Sequence, residues 1–234
     1  MGDKIINFYE KMPKKLLKKA FNPNIDLHHI QLPFRGIISA PSGSGKTNVL
    51  LNLLHLFSQG DGTFADITII TRNKDEPLYN YLSDKSKGRI VITEGLNSIP
   101  KLDDMDKDEN HLVCFDDLVL AKDQTKIIEY YIRARKLNCS VLYLSQSYFD
   151  IPPIIRKNCS YIIFMKIGGL RQVNTILRDF ALGCSKEQLT GMYEYATDEK
   201  MIPFIIDNET SDMLKKFRKG FNEYLDPSDF GNNN

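Results

Sequence analysis

The chain has 234 residues, slightly above the ~100–200 of one ordinary domain, so one α/β domain is expected and two independent ones would be cramped. Hydrophobic residues make up 42% and charged residues 26%, ordinary values for a soluble protein, which excludes wholesale disorder. Lys plus Arg number 31 against 30 Asp plus Glu, a formal charge of +1, so no global basic field advertises nucleic acid or a membrane surface. No apolar run approaches the roughly 18 residues needed to span a bilayer, and the start lacks the apolar core of a secretory signal; a cytosolic or nuclear protein with no direct membrane insertion is expected. Cys114, Cys139, Cys159 and Cys184 contain no CxxC pair, so neither zinc nor redox chemistry is indicated.

Apolar positions Ile5, Phe8, Tyr9, Met12, Leu16 and Leu17 follow a helical period interrupted by Pro13, predicting one or two short amphipathic helices over Lys4–Ala20. Phe34–Ala40 reads as a strand, Pro41–Gly45 as a small-residue turn, and Lys46–Ser58 as a helix with Val49, Leu50, Leu53, Leu54 and Phe57 on one face. Asp66–Arg72 is a second strand, Pro77–Asp84 a short helix and Arg89–Thr93 another extended piece. After an acidic polar segment, Lys101–Asn110, come strand His111–Phe115, helix Lys126–Lys136, strand Ser140–Ser145 and strand Tyr161–Ile167. Leu170–Ala181 and Lys186–Ala196 read as helices, Ile202–Ile206 as strand-like and Met213–Tyr224 as a basic helix, with a frayed tail from Pro227. Strands alternating with helices, most of them apolar on both faces, predict a mostly parallel central sheet flanked by helices.

Two strand ends carry chemistry. Ala40-Pro41-Ser42-Gly43-Ser44-Gly45-Lys46-Thr47 matches the Walker A phosphate-loop pattern except that Ala40 replaces the first glycine. It follows a strand and opens a helix. Glycines there let backbone amides approach phosphate oxygens, and the helix N-terminus adds partial positive charge. Lys46 is expected to reach the β/γ phosphates and the Thr47 hydroxyl to bind Mg2+. The strand His111–Phe115 delivers Asp116 and Asp117 at its carboxyl end, the Walker B arrangement, in which Asp116 holds Mg2+ and Asp117 polarises the attacking water. A third strand ends in Gln146, an amide able to donate to a γ-phosphate oxygen and to orient water. Arg133 and Arg135 close the preceding helix, from which a guanidinium delivered to a neighbouring subunit can stabilise transition-state charge.

Taken in order, APSGSGKT, HLVCFDD, RARKLNCSVLYLSQ, IPPIIRKNCSYIIFMKI and LRQVNTILRDF resemble the FtsK-HerA superfamily of P-loop ATPases, specifically the genome-packaging ATPases of large DNA viruses and virophages, from about Leu32 to Ile206. The resemblance implies a RecA-like sheet of strand order 5-1-4-3-2, a homo-oligomeric ring (pentamer or hexamer) and ATP-driven movement of double-stranded DNA into a preformed capsid, with a capsid or portal vertex protein as partner. It implies ATP and Mg2+ as ligands, Gln146 as γ-phosphate sensor, Arg135 or Arg133 as a finger acting in trans, and a place in the host cytoplasm or the virion. Asn158 matches an Asn the superfamily often keeps; no chemistry is assigned to it. The departures are Ala40 and Asp117, the latter one methylene shorter than the usual Glu.

The implied division is an N-terminal helical extension (1–31), the ATPase core (32–206) and a basic C-terminal helix and tail (207–234). Candidate DNA contacts are Lys14, Lys15, Lys18 and Lys19; Lys215, Lys216, Arg218 and Lys219; and the polar segment Asn73–Gly88 with Lys74, Lys85 and Lys87. The alternatives are another RecA-type NTPase such as a helicase, or a non-hydrolysing, nucleotide-dependent scaffold at a capsid vertex.

Overall fold

The structure is a computed structural model that describes residues 6–13, 20–180 and 183–231. Lys14, Lys15, Lys18 and Lys19, and most of the expected N-terminal helices, lie outside the described residues; within them the N-terminal segment contains one 3-10 turn, Phe8–Lys11.

A short helix α1 (Ile25–His28) precedes β1 (Arg35–Ser39), α2 (Lys46–Phe57), β2 (Asp66–Thr71), α3 (Pro77–Ser86) and β3 (Ile90–Glu94). Then follow β4 (His111–Asp116), α4 (Thr125–Arg133), β5 (Cys139–Ser145), α5 (Pro153–Lys157), β6 (Tyr161–Phe164), α6 (Leu170–Arg178), α7 (Lys186–Ala196) and β7 (Phe204–Asp207). The described chain ends with α8 (Met213–Lys216), β8 (Phe217–Lys219) and β9 (Glu223–Leu225).

All nine strands join one sheet in the order β3-β2-β4-β5-β1-β6-β7-β8-β9. The strands from β3 to β6 pair in parallel, whereas β7, β8 and β9 are antiparallel. The expected order 5-1-4-3-2 is present as β6-β1-β5-β4-β2 but differs in detail from the whole sheet, which gains β3 at one edge and three antiparallel strands at the other.

Alternate residues of the parallel strands feed two cores, which is why these strands read as continuously apolar. Ile38, Ile69, Cys114, Leu142 and Leu144 face α2 and Tyr79 of α3; Ile37, Ile70, Phe115, Tyr143 and Phe164 face α4, α6 and α7. The helices therefore sit on both faces, as the crossovers of a parallel sheet require. Cys114, Cys139 and Cys159 are buried free thiols, and burial pushes each of them up from its usual pKa.

The expected basic helix Met213–Tyr224 is corrected. Only Met213–Lys216 is helical, and Phe217 onward forms a hairpin that extends the sheet. Period-2 burial explains the change: Phe217 stacks on Phe204 in one core while Arg218 is fully buried on the opposite face. Within its described residues, 227–231, the tail is less frayed than expected, because Phe230 packs on Tyr195 of α7 with ring centroids 5.7 Å apart.

Candidate nucleotide site

The carboxyl ends of β1, β2, β4 and β5 open into a cleft of about 710 Å³. Such a crevice, outside the carboxyl edge of a parallel sheet, is where α/β folds place ligands. The loop Pro41–Gly45 forms one wall. Ser44 closes it on Pro41, its amide and hydroxyl donating to the Pro41 carbonyl at 3.2 and 2.6 Å. Gly45 is the N-cap of α2 and holds φ +95°, and Gly43 holds φ +73°; these left-handed conformations favour glycine. Ala40, the departure from the pattern, is buried, is not left-handed, and donates its amide to Ser145 at 3.0 Å, so its methyl group is accommodated at the strand end.

Lys46 and Thr47, the first two residues of α2, face Asp116 at the end of β4. Lys46 Nζ lies 3.8 Å from Asp116 Oδ1. The other carboxylate oxygen accepts from the Tyr79 hydroxyl at 2.7 Å and from Thr71 Oγ1 at 3.5 Å. Asp116 is 4% exposed, and its Oδ1 has no hydrogen-bond partner. Desolvation raises its pKa against the opposing pull of Lys46 and the Tyr79 hydrogen bond. A buried carboxylate oxygen without a donor, in a cleft that Thr47 also lines, suits a divalent cation that brings its remaining ligands from waters and phosphates. Among the described residues no group of three His, Cys, Asp or Glu side chains forms a cation cage of its own.

Asp117 adopts φ +54°, and its amide donates to Leu144 at 3.1 Å, so the chain turns sharply after β4. The turn brings the Asp117 carboxylate to Gln146, whose Nε2 donates to its two oxygens at 3.4 and 3.3 Å. The two residues expected to handle the attacking water are thus neighbours at adjacent strand ends.

Arg133 and Arg135 are not brought into this cleft. They lie where α4 passes through a 3-10 turn into the amino end of β5, at the opposite end of the sheet. Arg133 donates to Glu129 and, at 2.8 Å, to Asp103; Arg135 lies 3.5 Å from Glu209, and both guanidinium groups are about half exposed. Asn158 accepts from Arg35 at 3.3 Å and donates to the Ile154 carbonyl at 2.7 Å.

The C-terminal basic group does not form an exposed patch, which corrects its candidacy for DNA. Lys216 and Arg218 are buried; Lys219 bonds Glu199 at 2.8 Å, and Lys215 pairs with Asp212 at 3.7 Å. In the third candidate segment, Lys74, Lys85 and Lys87 are exposed, the last two at the end of α3.

The sequence reading missed Glu76, Tyr79 and Met201. Thr47 Oγ1 donates to Glu76 Oε1 at 3.2 Å. Met201, itself at φ +69°, lies over Gly45 and receives a hydrogen bond from Asn48 on its sulfur at 3.5 Å. A usable signal existed for Glu76 alone: an acid directly before a helix-opening proline, five residues past a strand end that neighbours the Walker B strand.

Comparison with known proteins places this geometry in context. The model of the family described as Poxvirus A32 protein matches residues 26–212. A DNA packaging protein of Variola virus, OPG160, is 28% identical over 181 residues, a match covering 70% of this chain and 64% of that protein. Its Monkeypox virus counterpart is 27% identical over 177 residues, with 70% and 57% covered. The chain thus spans less than two thirds of the length of these relatives. Among solved structures, the genome packaging NTPase B204 from Sulfolobus turreted icosahedral virus 2 in complex with ATP-gammaS superposes with a TM-score of 0.57 at 15% identity, covering 82% of this chain and all of that one. The pCW3 conjugation coupling protein TcpA gives 0.52 at 12% identity, with 83% and 62% covered. At such identities the structural likeness establishes the fold, which is that of the P-loop NTPases.

Proposed function

The chain belongs to the Poxvirus A32 protein family, and from that premise we propose that it is the ATP-hydrolysing motor of viral genome packaging, moving double-stranded DNA into a preformed capsid. The observation that carries this reading is the convergence of Lys46, Thr47, Asp116, Asp117 and Gln146 on one cleft from three strand ends. The naming of its relatives as DNA packaging proteins supports the choice of DNA as the moved polymer.

The loop amides of Ser42 to Lys46 and the α2 N-terminus bind the triphosphate, and Lys46 neutralises charge on its β and γ groups. Thr47 and Asp116 would hold Mg2+, which, when bound, would neutralise charge developing on the phosphoryl oxygens. Asp117 accepts a proton from the attacking water, and Gln146, hydrogen-bonded to Asp117, orients that water and reports whether the γ-phosphate is present. Arg135 or Arg133 of one subunit stabilises charge in the cleft of the next, so hydrolysis requires a ring. Exposed Lys74, between the carboxyl end of β2 and the start of α3, gives this assembly a phosphate-contacting residue beside the cleft, while exposed Lys85 and Lys87 stand at the far end of α3. A capsid or portal vertex protein is its docking partner. No helix among the described residues is long and apolar enough to cross a membrane.

ATP turnover measured with and without linear duplex DNA tests the proposal. Turnover is expected to rise with DNA, and Lys46→Ala is expected to abolish it, with a loss of at least about 100-fold. A wild-type protein whose turnover ignores DNA is not a DNA motor. Nucleotide binding without phosphate release would instead support the scaffold reading.

A further inference from the structure

We propose that Glu76 belongs to the shell of the Mg2+ carried in with the nucleotide, beside Thr47 and Asp116. This rests on the reading of the cleft as a Mg2+–ATP site.

Glu76 is the N-cap of α3, a place where a short side chain such as Ser, Thr, Asp or Asn turns back onto the first free helix amides. Here the side chain makes no such bond; the amides of Tyr79 and Asn80 are satisfied by the Glu76 backbone carbonyl at 2.9 and 3.0 Å. The carboxylate is thereby free to reach across the cleft, where it accepts from the Thr47 hydroxyl at 3.2 Å. One turn further along the same helix face, Tyr79 donates to Asp116. A single face of α3 therefore touches both residues assigned to the metal.

The spacing fits coordination. Two oxygens bound cis on Mg2+ at about 2.0–2.1 Å stand about 2.9 Å apart. The oxygens of Thr47 and Glu76 stand 3.2 Å apart already. Asp116 Oδ1 is a buried acceptor without a donor. Asp117 is engaged with Gln146 instead. When a cation takes the lone pair of the Thr47 hydroxyl, Glu76 can bind it directly or through one of its waters, so the Thr47–Glu76 hydrogen bond marks the place the ion would occupy.

The test is binding of a fluorescent, non-hydrolysable ATP analogue to the full chain, titrated once in EDTA and once in Mg2+, with bound Mn2+ counted in parallel by electron paramagnetic resonance. Wild type is expected to bind more tightly with metal. Glu76→Gln, which keeps the shape, is expected to lose about tenfold of that enhancement, to bind Mn2+ correspondingly less well, and to match or exceed wild-type affinity in EDTA because a negative charge near the phosphates is gone. Glu76→Asp, charged but one methylene short, is expected to fall between them. An enhancement kept within about twofold in Glu76→Gln overturns the proposal. An equal loss in EDTA and Mg2+ overturns it too, since that pattern means Glu76 only braces α3. Wild type binding no analogue in either buffer removes the nucleotide reading itself, a result distinct from either failure of Glu76. Melting curves without nucleotide check folding, and if Glu76→Gln melts early the Asp variant carries the same comparison.

Discussion

Asp116 is a buried carboxylate, and its neighbours show how its charge is held. Desolvation pushes its pKa up; Lys46 and the Tyr79 hydroxyl push it back down. Tyr79 is itself fully buried, and burial beside Asp116 raises its own pKa, so it remains a donor at any physiological pH. Removing that donor in Tyr79→Phe is expected to cost about 1.5–3 kcal/mol of stability, the range for a hydrogen bond to a charged group, read as a lower urea midpoint. The sign on pH follows from which form the phenol favours. Because it stabilises the carboxylate, its loss raises the Asp116 pKa further, and the acid limb of the turnover–pH profile is expected to move to higher pH. An unmoved limb would mean that Asp116 ionisation does not govern that limb.

At the scale of elements, the hairpin β8–β9 and the helix α1 are tied by one side chain. Arg218 is fully buried; its Nη1 donates to the carbonyls of His28 and Phe221, each at 2.9 Å, and of His29 at 3.3 Å, and its guanidinium lies over Tyr161 and Tyr224. Among the described residues no carboxylate forms an ion pair with it; carbonyl dipoles and ring faces replace water. His28, which accepts from the Ile30 amide at 3.0 Å, is pulled down to about 4 by burial and by Arg218, so it stays neutral beside the guanidinium. Arg218→Ala is expected to cost about 3–5 kcal/mol, through a cavity and stranded carbonyls. Arg218→Met, which refills the volume, is expected to recover part of it. Urea unfolding of both variants checks this; equal, small losses would show that the hairpin stands without the anchor.

For the whole molecule, the decisive fact is the separation of Arg133 and Arg135 from the cleft. The cleft opens at the carboxyl ends of the parallel strands, and Arg133 and Arg135 stand at the amino end of β5. Within one protomer they serve no cleft. If Arg135 acts on a neighbour's nucleotide, turnover per protomer must rise with protein concentration until rings fill. Arg135→Ala protomers mixed into wild type must then depress turnover more steeply than their share of the mixture. A loss merely proportional to the mutant fraction would sink the role in trans. The pair Arg135–Glu209, at 3.5 Å and half exposed, is a weak tether that a neighbouring phosphate can displace.

The phosphate loop, the acids ending β4 and the glutamine ending β5 were legible in the sequence, because each depends on a few contiguous residues at a strand end and backbone geometry delivers them without distant help. The two-faced sheet was legible for the same reason, since continuous apolar strands between amphipathic helices have few other ways to bury both faces. Glu76 and Tyr79 were not, because their partners lie 29 and 37 positions away in the chain and become neighbours only when the sheet assembles in the order β2-β4-β5-β1. Nor was the fate of Lys216 and Arg218: a cluster of positive charge looks alike on a solvated helix and on a strand buried on both faces, and the difference in solvation that separates a DNA contact from a structural anchor is set by what packs above it. Sequence alone determined which loop and strand-end groups line the cleft; tertiary structure decided which charges reach solvent and which second helix reaches Thr47 and Asp116, because both depend on sheet order and register rather than on spacing along the chain.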